Sequence, residues 1–301
     1  MSFRDSTLAI FVMFLWGAQV TAVKIAGAEV PPFLMLAIRF TAIALIIIPF
    51  VKHMNYSTGK KVAAISLFTC IFHFGFLYLG IALVKASTSA ILYQSTSLFI
   101  VFLAAFFLHE KFTLTRGVGL GIAMAGIVLL FGGLDFSEDV TGAVFVLLAS
   151  MSFAIGTTLT KKLGPIDPLA LNGWSAAMAA PLMLAVSLSI EPLDWGQIQS
   201  VSIKGWLAVG YTALSGGVIG FALWYRLVNR NQVSKLAPYS LLTPLFAVGV
   251  SETLLQEGLS RDFLISSALV LLGVIVAQFG IPRFLIRLFS QKNVDETSNA
   301  S

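Results

Sequence analysis

The 301-residue chain is 57% hydrophobic and only 11% charged, with a net charge of +5 and a mean hydropathy of +0.91. Water-soluble domains carry roughly 25% charged residues, so a soluble fold of this length lacks the charge to cover its own surface, and a bilayer is the solvent that fits. The single cysteine, Cys70, excludes an intramolecular disulfide.

A spanning helix takes about 20 mostly apolar residues. Runs of that kind follow one another at 6–26, 32–51, 62–83, 86–108, 117–133, 140–160, 168–190, 205–228, 232–255 and 263–282. They are longer and more uniformly apolar than the alternating segments of a β-barrel. Helices and closed barrels alone satisfy their backbone in lipid. The expected fold class is therefore an all-α integral membrane protein of ten transmembrane helices.

The first run begins after Met1–Asp5 and is read as an uncleaved span; it carries Trp16 and Gln19. Pro31 and Pro32 open the second, which holds Arg39. A guanidinium at that depth can bind a carboxylate; the alternatives are snorkelling to the interface or pairing with Glu29 or Glu252. The third run contains His73, the one histidine inside a span, and Tyr78. His73 and Glu252 are candidates for proton coupling, weighed against a satisfied structural role.

Tyr93-Gln94-Ser95-Thr96-Ser97 makes the fourth run unusually polar at mid-depth. Gln94 offers donors and an acceptor to a zwitterion; Ser95 and its neighbours serve a substrate or interhelical hydrogen bonds. Glu110 reads as a structural marker at the end of this run. Glycines 117, 119, 121 and 126 in the fifth, and Ser215, Gly216, Gly217 and Gly220 in the eighth, imply close helix packing. Trp224 and Tyr225 beside Arg226 fit an interfacial aromatic belt. In the ninth run Tyr239, Ser240 and Thr243 stand between or beside Pro238 and Pro244, which bend helices or free carbonyls.

Lys and Arg concentrate on the cytoplasmic side of membrane proteins. With ten spans and a cytoplasmic N-terminus, fourteen of the 19 fall on the cytoplasmic side and four (Lys24, Lys85, Lys204, Arg261) on the other, with Arg39 inside a span. A miscounted span scrambles that separation. The basic balance then needs no nucleic-acid partner.

The chain also repeats itself. At an offset of 147, Tyr78 matches Tyr225, Ser87 matches Ser234, Glu110 matches Glu257 and Gly126 matches Gly273. Nearer the start the offset is 137, pairing Lys24 with Lys161, Gly27 with Gly164 and Pro31 with Pro168; a longer loop around Glu191–Lys204 absorbs the difference. The division is 1–135, 136–288 and a polar cytoplasmic tail, 289–301. Five spans per half make the second half inverted, an arrangement typical of secondary transporters that bind substrate between the repeats.

Trp16-Gly17 before Lys24, Pro31-Pro32, Arg39, Leu108-His109-Glu110-Lys111, the Gly-rich fifth run and Leu255-Gln256-Glu257 together resemble the drug/metabolite transporter superfamily, specifically its EamA-type permeases. The narrower likeness is to bacterial inner-membrane exporters of cysteine and O-acetylserine. The resemblance implies a multi-pass protein of the bacterial inner membrane, exporting amino acids or related metabolites by alternating access, as a monomer or weak homo-oligomer and without cofactor. The candidate substrate residues, read from polar and aromatic groups within the spans, are Trp16, Gln19, Arg39, Tyr78, Gln94, Ser95, Tyr239 and Thr243. Ser97 stands where the family usually has proline, and Gln19 where asparagine is common. The first span lacks the membrane-embedded Glu of the small multidrug-resistance branch, against proton-coupled export of cationic drugs. A multidrug exporter is the alternative within the class. A membrane enzyme needs a clustered catalytic set, and His53, His73 and His109 lie apart with no Walker-type phosphate loop in the chain. A non-transporting receptor leaves the repeat unexplained.

Overall fold

The computed structural model describes residues 1–83, 92–130, 140–192, 195–255 and 261–279. All regular structure among them is helical. Helix α1 (Phe3–Gly27) starts where Ser2 accepts from the Asp5 amide, a side-chain N-cap. Helix α2 (Pro32–Ile47) opens on proline, whose missing N–H is no loss in a first turn. Helix α3 (Tyr56–Ser66) runs through a π-helical segment, Leu67–Phe72, into α4 (His73–Leu83). Then come α5 (Ser95–Phe107), α6 (Leu114–Leu130), α7 (Val140–Lys162) and α8 (Pro168–Ile190). The short α9 (Trp195–Gln199) occupies the long loop expected between the halves' corresponding runs. Helix α10 (Ile203–Tyr211) passes through a second π-helical segment, Thr212–Phe221, into α11 (Ala222–Arg230). Helices α12 (Val233–Ser240), α13 (Thr243–Leu255) and α14 (Arg261–Phe279) complete the described chain.

Seven of these rods are long and apolar enough to cross a membrane, and Ser95–Phe107, Leu114–Leu129 and Leu264–Ala277 are shorter apolar helices. Their outer faces are greasy: Leu45, Phe102, Phe106, Leu188 and Leu207 are all exposed. Such a surface is stable against lipid and aggregates in water.

The packing exchanges partners between the halves. Helix α2 packs on α8, α5 on α12, and α6 on α14. Helix α1 packs on α13 and on the α10–α11 rod, while α7 packs on α5 and on the α3–α4 rod. The α1–α13 and α7–α5 contacts, and those of α1 and α7 with the two long rods, are thus the same contacts with the halves swapped, while α2 on α8 and α6 on α14 join corresponding helices. The π-helical segments obey the same correspondence: Leu67–Phe72 shifted by 147 positions falls within Thr212–Phe221. Small residues permit the closest approaches. A Cβ at Gly80 would meet the Gly142 carbonyl at 3.0 Å, and one at Gly126 the Ser266 carbonyl at 2.9 Å.

Candidate functional site

Two helices break at corresponding positions. The ninth apolar run divides at Leu241–Leu242, between α12 and α13. Pro244 has no N–H for the Ser240 carbonyl and its ring crowds that oxygen. The chain tightens there into shorter bonds, Leu241 N–H to Pro238 O at 3.3 Å and Leu242 N–H to Tyr239 O at 2.9 Å. The fourth run turns at Gln94, 147 positions before Leu241. No proline is present, and hydroxyls do the work. The Ser97 amide bonds to the Gln94 carbonyl at 3.1 Å. The Tyr93 carbonyl, which a continuous helix would give to Ser97, accepts instead from Thr96 Oγ1 at 2.6 Å and Ser150 Oγ at 3.3 Å. The breaks touch: Ser97 Oγ and Ser240 Oγ are 2.6 Å apart. Gln94 is buried at this junction, and Ser95 Oγ has no partner among the described residues.

A second constellation surrounds Arg39. The π-helical segment Thr212–Phe221 frees backbone carbonyls. Trp16 Nε1 donates to the Gly216 carbonyl at 3.2 Å, and Asn172 Nδ2 to those of Gly217 and Val218 at 2.9 and 3.3 Å. Gln19 reaches the same segment, its amide oxygen filling the place of a side chain on Gly216. Arg39 is 2% exposed. Its Nη2 donates to Gln19 Oε1 at 3.5 Å, and its guanidinium lies 4.8 Å from the Phe74 ring centre and 5.8 Å from that of Phe40. Its Nε has no partner among the described residues. Trp16 is 5.3 Å from Phe221, 5.5 Å from Trp224 and 6.0 Å from Phe153, ring centre to ring centre.

His73 joins the two constellations. One ring nitrogen is 3.3 Å from the Ala149 carbonyl and the other 3.4 Å from the Tyr93 hydroxyl, next to the Gln94 break. Both nitrogens are occupied, which is how a buried neutral imidazole is satisfied. Tyr78 packs on Phe33 at 6.3 Å.

Trp16, Gln19, Arg39 and His73 are therefore neighbours, with Gln94 reached through His73 and Tyr93, while Tyr78 packs on Phe33. Tyr239 is instead buried on α12 beside the second break, and Thr243 donates to Met13 Sδ at 3.3 Å. Both flank the second break without meeting Arg39. Glu252 lies on α13, and its side chain is outside the described residues. Two expectations are corrected. Trp224 and Tyr225 are each 1% exposed, which is core rather than an interfacial belt: Trp224 packs on Trp16, and the Tyr225 hydroxyl donates to Thr69 at 3.3 Å. Nor does Arg39 pair with Glu29, whose carboxylate binds Ser202. Asn172, Phe153 and Phe221 were not among the candidate site residues. Asn172 was detectable as a lone amide in an apolar run; the phenylalanines are two among 25.

Three carboxylates hold helix starts across the halves. Glu191 accepts from the Phe33 and Leu34 amides at 2.7 and 3.0 Å, where α2 has no side-chain cap of its own. Glu29 accepts from the Ser202 amide and hydroxyl at 2.6 and 2.7 Å, at the start of α10. Glu110 accepts from the Val233 and Ser234 amides at 2.9 Å and from the Ser234 hydroxyl, to which Arg116 also donates. Negative charge at a helix N-terminus meets unpaired N–H groups and the positive dipole end. The Ser202 amide and hydroxyl, with Lys204 nearby, hold the Glu29 carboxyl below its ordinary pKa of 4.5. A depressed carboxyl stabilises the folded contact at pH above its unfolded value, and that contribution is lost as pH falls through the depressed one. Hydrogen exchange at the Ser202 amide should thus keep constant protection, after correction for intrinsic rates, from about pH 8 to about pH 6 and lose it in stronger acid. Glu29→Gln should weaken protection throughout and remove the acid step; an unchanged profile in that variant would refute the clasp.

Two surface pockets lie apart from these groups. One, of about 370 Å³, is lined by residues including His53, Tyr56, Lys60 and Trp174, and the other by residues including Asp167, Arg226 and Arg230. Among the described residues no group of three or more His, Cys, Asp or Glu is placed to hold a metal ion.

A bundle of apolar helices, with helix breaks meeting inside and a polar, aromatic interior between two interpacked halves, has the construction of a membrane transport protein. The chain belongs to the EamA-like transporter family, whose model matches it over 6–132 and again over 140–279. It is 26% identical over 296 residues to a probable amino-acid metabolite efflux pump of Salmonella typhimurium, covering 93% of this chain and 96% of that protein. It is 27% identical over 294 residues to a WAT1-related chloroplastic protein of Arabidopsis thaliana, covering 92% and 70%. A solved crystal structure superposes with a TM-score of 0.80 at 22% identity, covering 92% of this chain and 97% of that one; at that identity the likeness concerns the fold.

Proposed function

We propose that this transporter exports amino acids or related small metabolites by alternating access, with its substrate site between two inverted five-helix repeats, 1–135 and 136–288. The observation that carries the reading is the pair of helix breaks at Gln94 and Leu241–Leu242, joined through Ser97 and Ser240. Interrupted helices at corresponding positions of two halves are the usual markers of a transporter's binding site. The exchange of packing partners between halves supports the inversion, since two equivalent packings can open to opposite faces. The names of the Salmonella relative and of a 23% identical Escherichia coli protein, both probable amino-acid metabolite efflux pumps, support the substrate class. In this reading both termini are cytoplasmic, the membrane is a bacterial inner membrane, one chain forms a complete pathway, and neither cofactor nor catalysis is involved.

The test is counterflow in proteoliposomes with labelled amino acids, O-acetylserine and cationic dyes, with and without a pH gradient. Saturable amino-acid movement is expected; movement of dyes alone favours a multidrug exporter and defeats the reading. Gln94→Ala should leave the protein monodisperse and slow transport roughly two- to tenfold, the worth of one lost neutral hydrogen bond. Wild-type flux through folded Gln94→Ala would remove Gln94 from the site.

A further inference from the structure

We propose that Arg39 is the carboxylate anchor of this site, so that the substrates are small carboxylates with an apolar body, in which the carboxylate is obligatory and an amino group is not. The inference rests on the transporter reading and adds the chemistry that reading leaves open.

Arg39 is a full charge, 2% exposed, with no carboxylate near it among the described residues. Three acidic side chains among the described residues are engaged elsewhere: Glu29 at Ser202, Glu191 at the start of α2 and Glu110 at the start of α12; the side chain of Glu252, the other partner considered, is outside the described residues. Its titratable neighbours, Cys70, His73 and Tyr78, supply no negative charge at neutral pH. Among the described residues its acceptor is the Gln19 oxygen at 3.5 Å, long for a hydrogen bond, and Nε has no partner. A buried charge without a counter-ion is costly and marks function in membrane proteins. The scaffold does not need it either. The repeat equivalent of Arg39, 137 positions on, is Ala176, which packs into the core.

A guanidinium offers a rigid fork of N–H donors that fits two carboxylate oxygens at once. A neutral amide with one oxygen and the face of Phe74 occupy that fork here, and both bind it less strongly than an anion. They keep Arg39 in place between cycles and yield to a carboxylate. The nearby rings of Phe40, Phe74, Phe221 and Trp16 give the rest of the molecule an apolar wall.

The experiment is a tryptophan-fluorescence titration of the purified full-length protein, which reads binding without flux. The probes are leucine, 4-methylpentanoate, leucine methyl ester and 3-methylbutylamine. The two carboxylates should bind saturably, and the ester and the amine should not bind in the same range. Arg39→Gln should weaken both carboxylates about tenfold or more, and Arg39→Lys should fall between, having the charge without the fork. Without ligand, Arg39→Gln should melt at or above the wild-type temperature, because an orphan charge has been removed.

Ester binding as tight as acid, unweakened carboxylate binding to Arg39→Gln, or no carboxylate binding to the wild type would each overturn the proposal. So would a lower melting temperature for Arg39→Gln that Glu252→Gln restores, since Arg39 would then be half of an internal ion pair. Arg39-dependent carboxylate binding without any flux would leave the anchor standing and defeat the transporter reading.

Discussion

Gly119→Leu is expected to abolish recovery of monodisperse protein, whereas Gly121→Leu, two residues away on the same helix, is expected to behave as wild type. A Cβ at Gly119 would strike the Ala277 amide, and would sit 2.6 Å from the Gly273 carbonyl and 2.7 Å from Ala277 Cα. Gly273 faces it in kind: a Cβ there would meet the Ala123 amide and lie 2.5 Å from the Gly119 carbonyl. These are backbone atoms, so no rotamer change relieves the clash and α6 must move away from α14. Among the described residues no other pair of helices packs so extensively. Overpacking a core costs about 1–3 kcal/mol when side chains can adjust, and separating a backbone-to-backbone contact should exceed that. Net stabilities are only about 5–15 kcal/mol. A Cβ at Gly121 meets nothing within 4 Å. Size-exclusion profiles and melting curves in detergent for the two variants make the comparison. Equal profiles would mean that the helices do not approach as described.

The apolar runs were legible because a bilayer leaves a one-dimensional signature. A run of about 20 apolar residues is required whatever its neighbours are. The second helix break was legible for a similar reason, because Pro238 and Pro244 act on their own helix. The first was only half legible. Its polarity drew attention to Gln94, but the device that ends the helix is a set of hydroxyls, and one of them, Ser150, comes from α7. Arg39 was visible as a charge in a span, yet its surroundings depend on Gln19, 20 residues away, and on Phe74, 35 residues away. The pairing with Glu29 looked reasonable because the two are close in sequence. It fails because Glu29 is drawn across the bundle to the unpaired amide of Ser202, a long-range partner that no local pattern encodes. The interfacial reading of Trp224 and Tyr225 failed in the same way. Their neighbour Arg226 suggested a membrane boundary, but Trp16 and Thr69 hold both side chains inside.

Gly216→Ala is expected to lower transport roughly two- to tenfold while leaving the fold intact, the range that corresponds to losing an ordinary hydrogen bond, since the 3.5 Å contact is a long one. The methyl group would occupy the space of the Gln19 amide oxygen. That oxygen is the far end of a flexible side chain, so Gln19 swings aside at little cost, and alanine favours a helical backbone over glycine. Melting temperature should therefore stay near wild type. What disappears is the acceptor that orients Arg39, whose Nη2 is 3.5 Å from Gln19 Oε1. Gln19→Ala should produce the same loss, and the double variant should be no worse than either single one, because both remove one interaction. Gly210→Ala, where a Cβ meets nothing within 4 Å, is the control. Additive losses in the double variant would show that Gly216 acts on transport by some route other than Gln19. Wild-type flux in both single variants would show that the orientation of Arg39 does not limit transport.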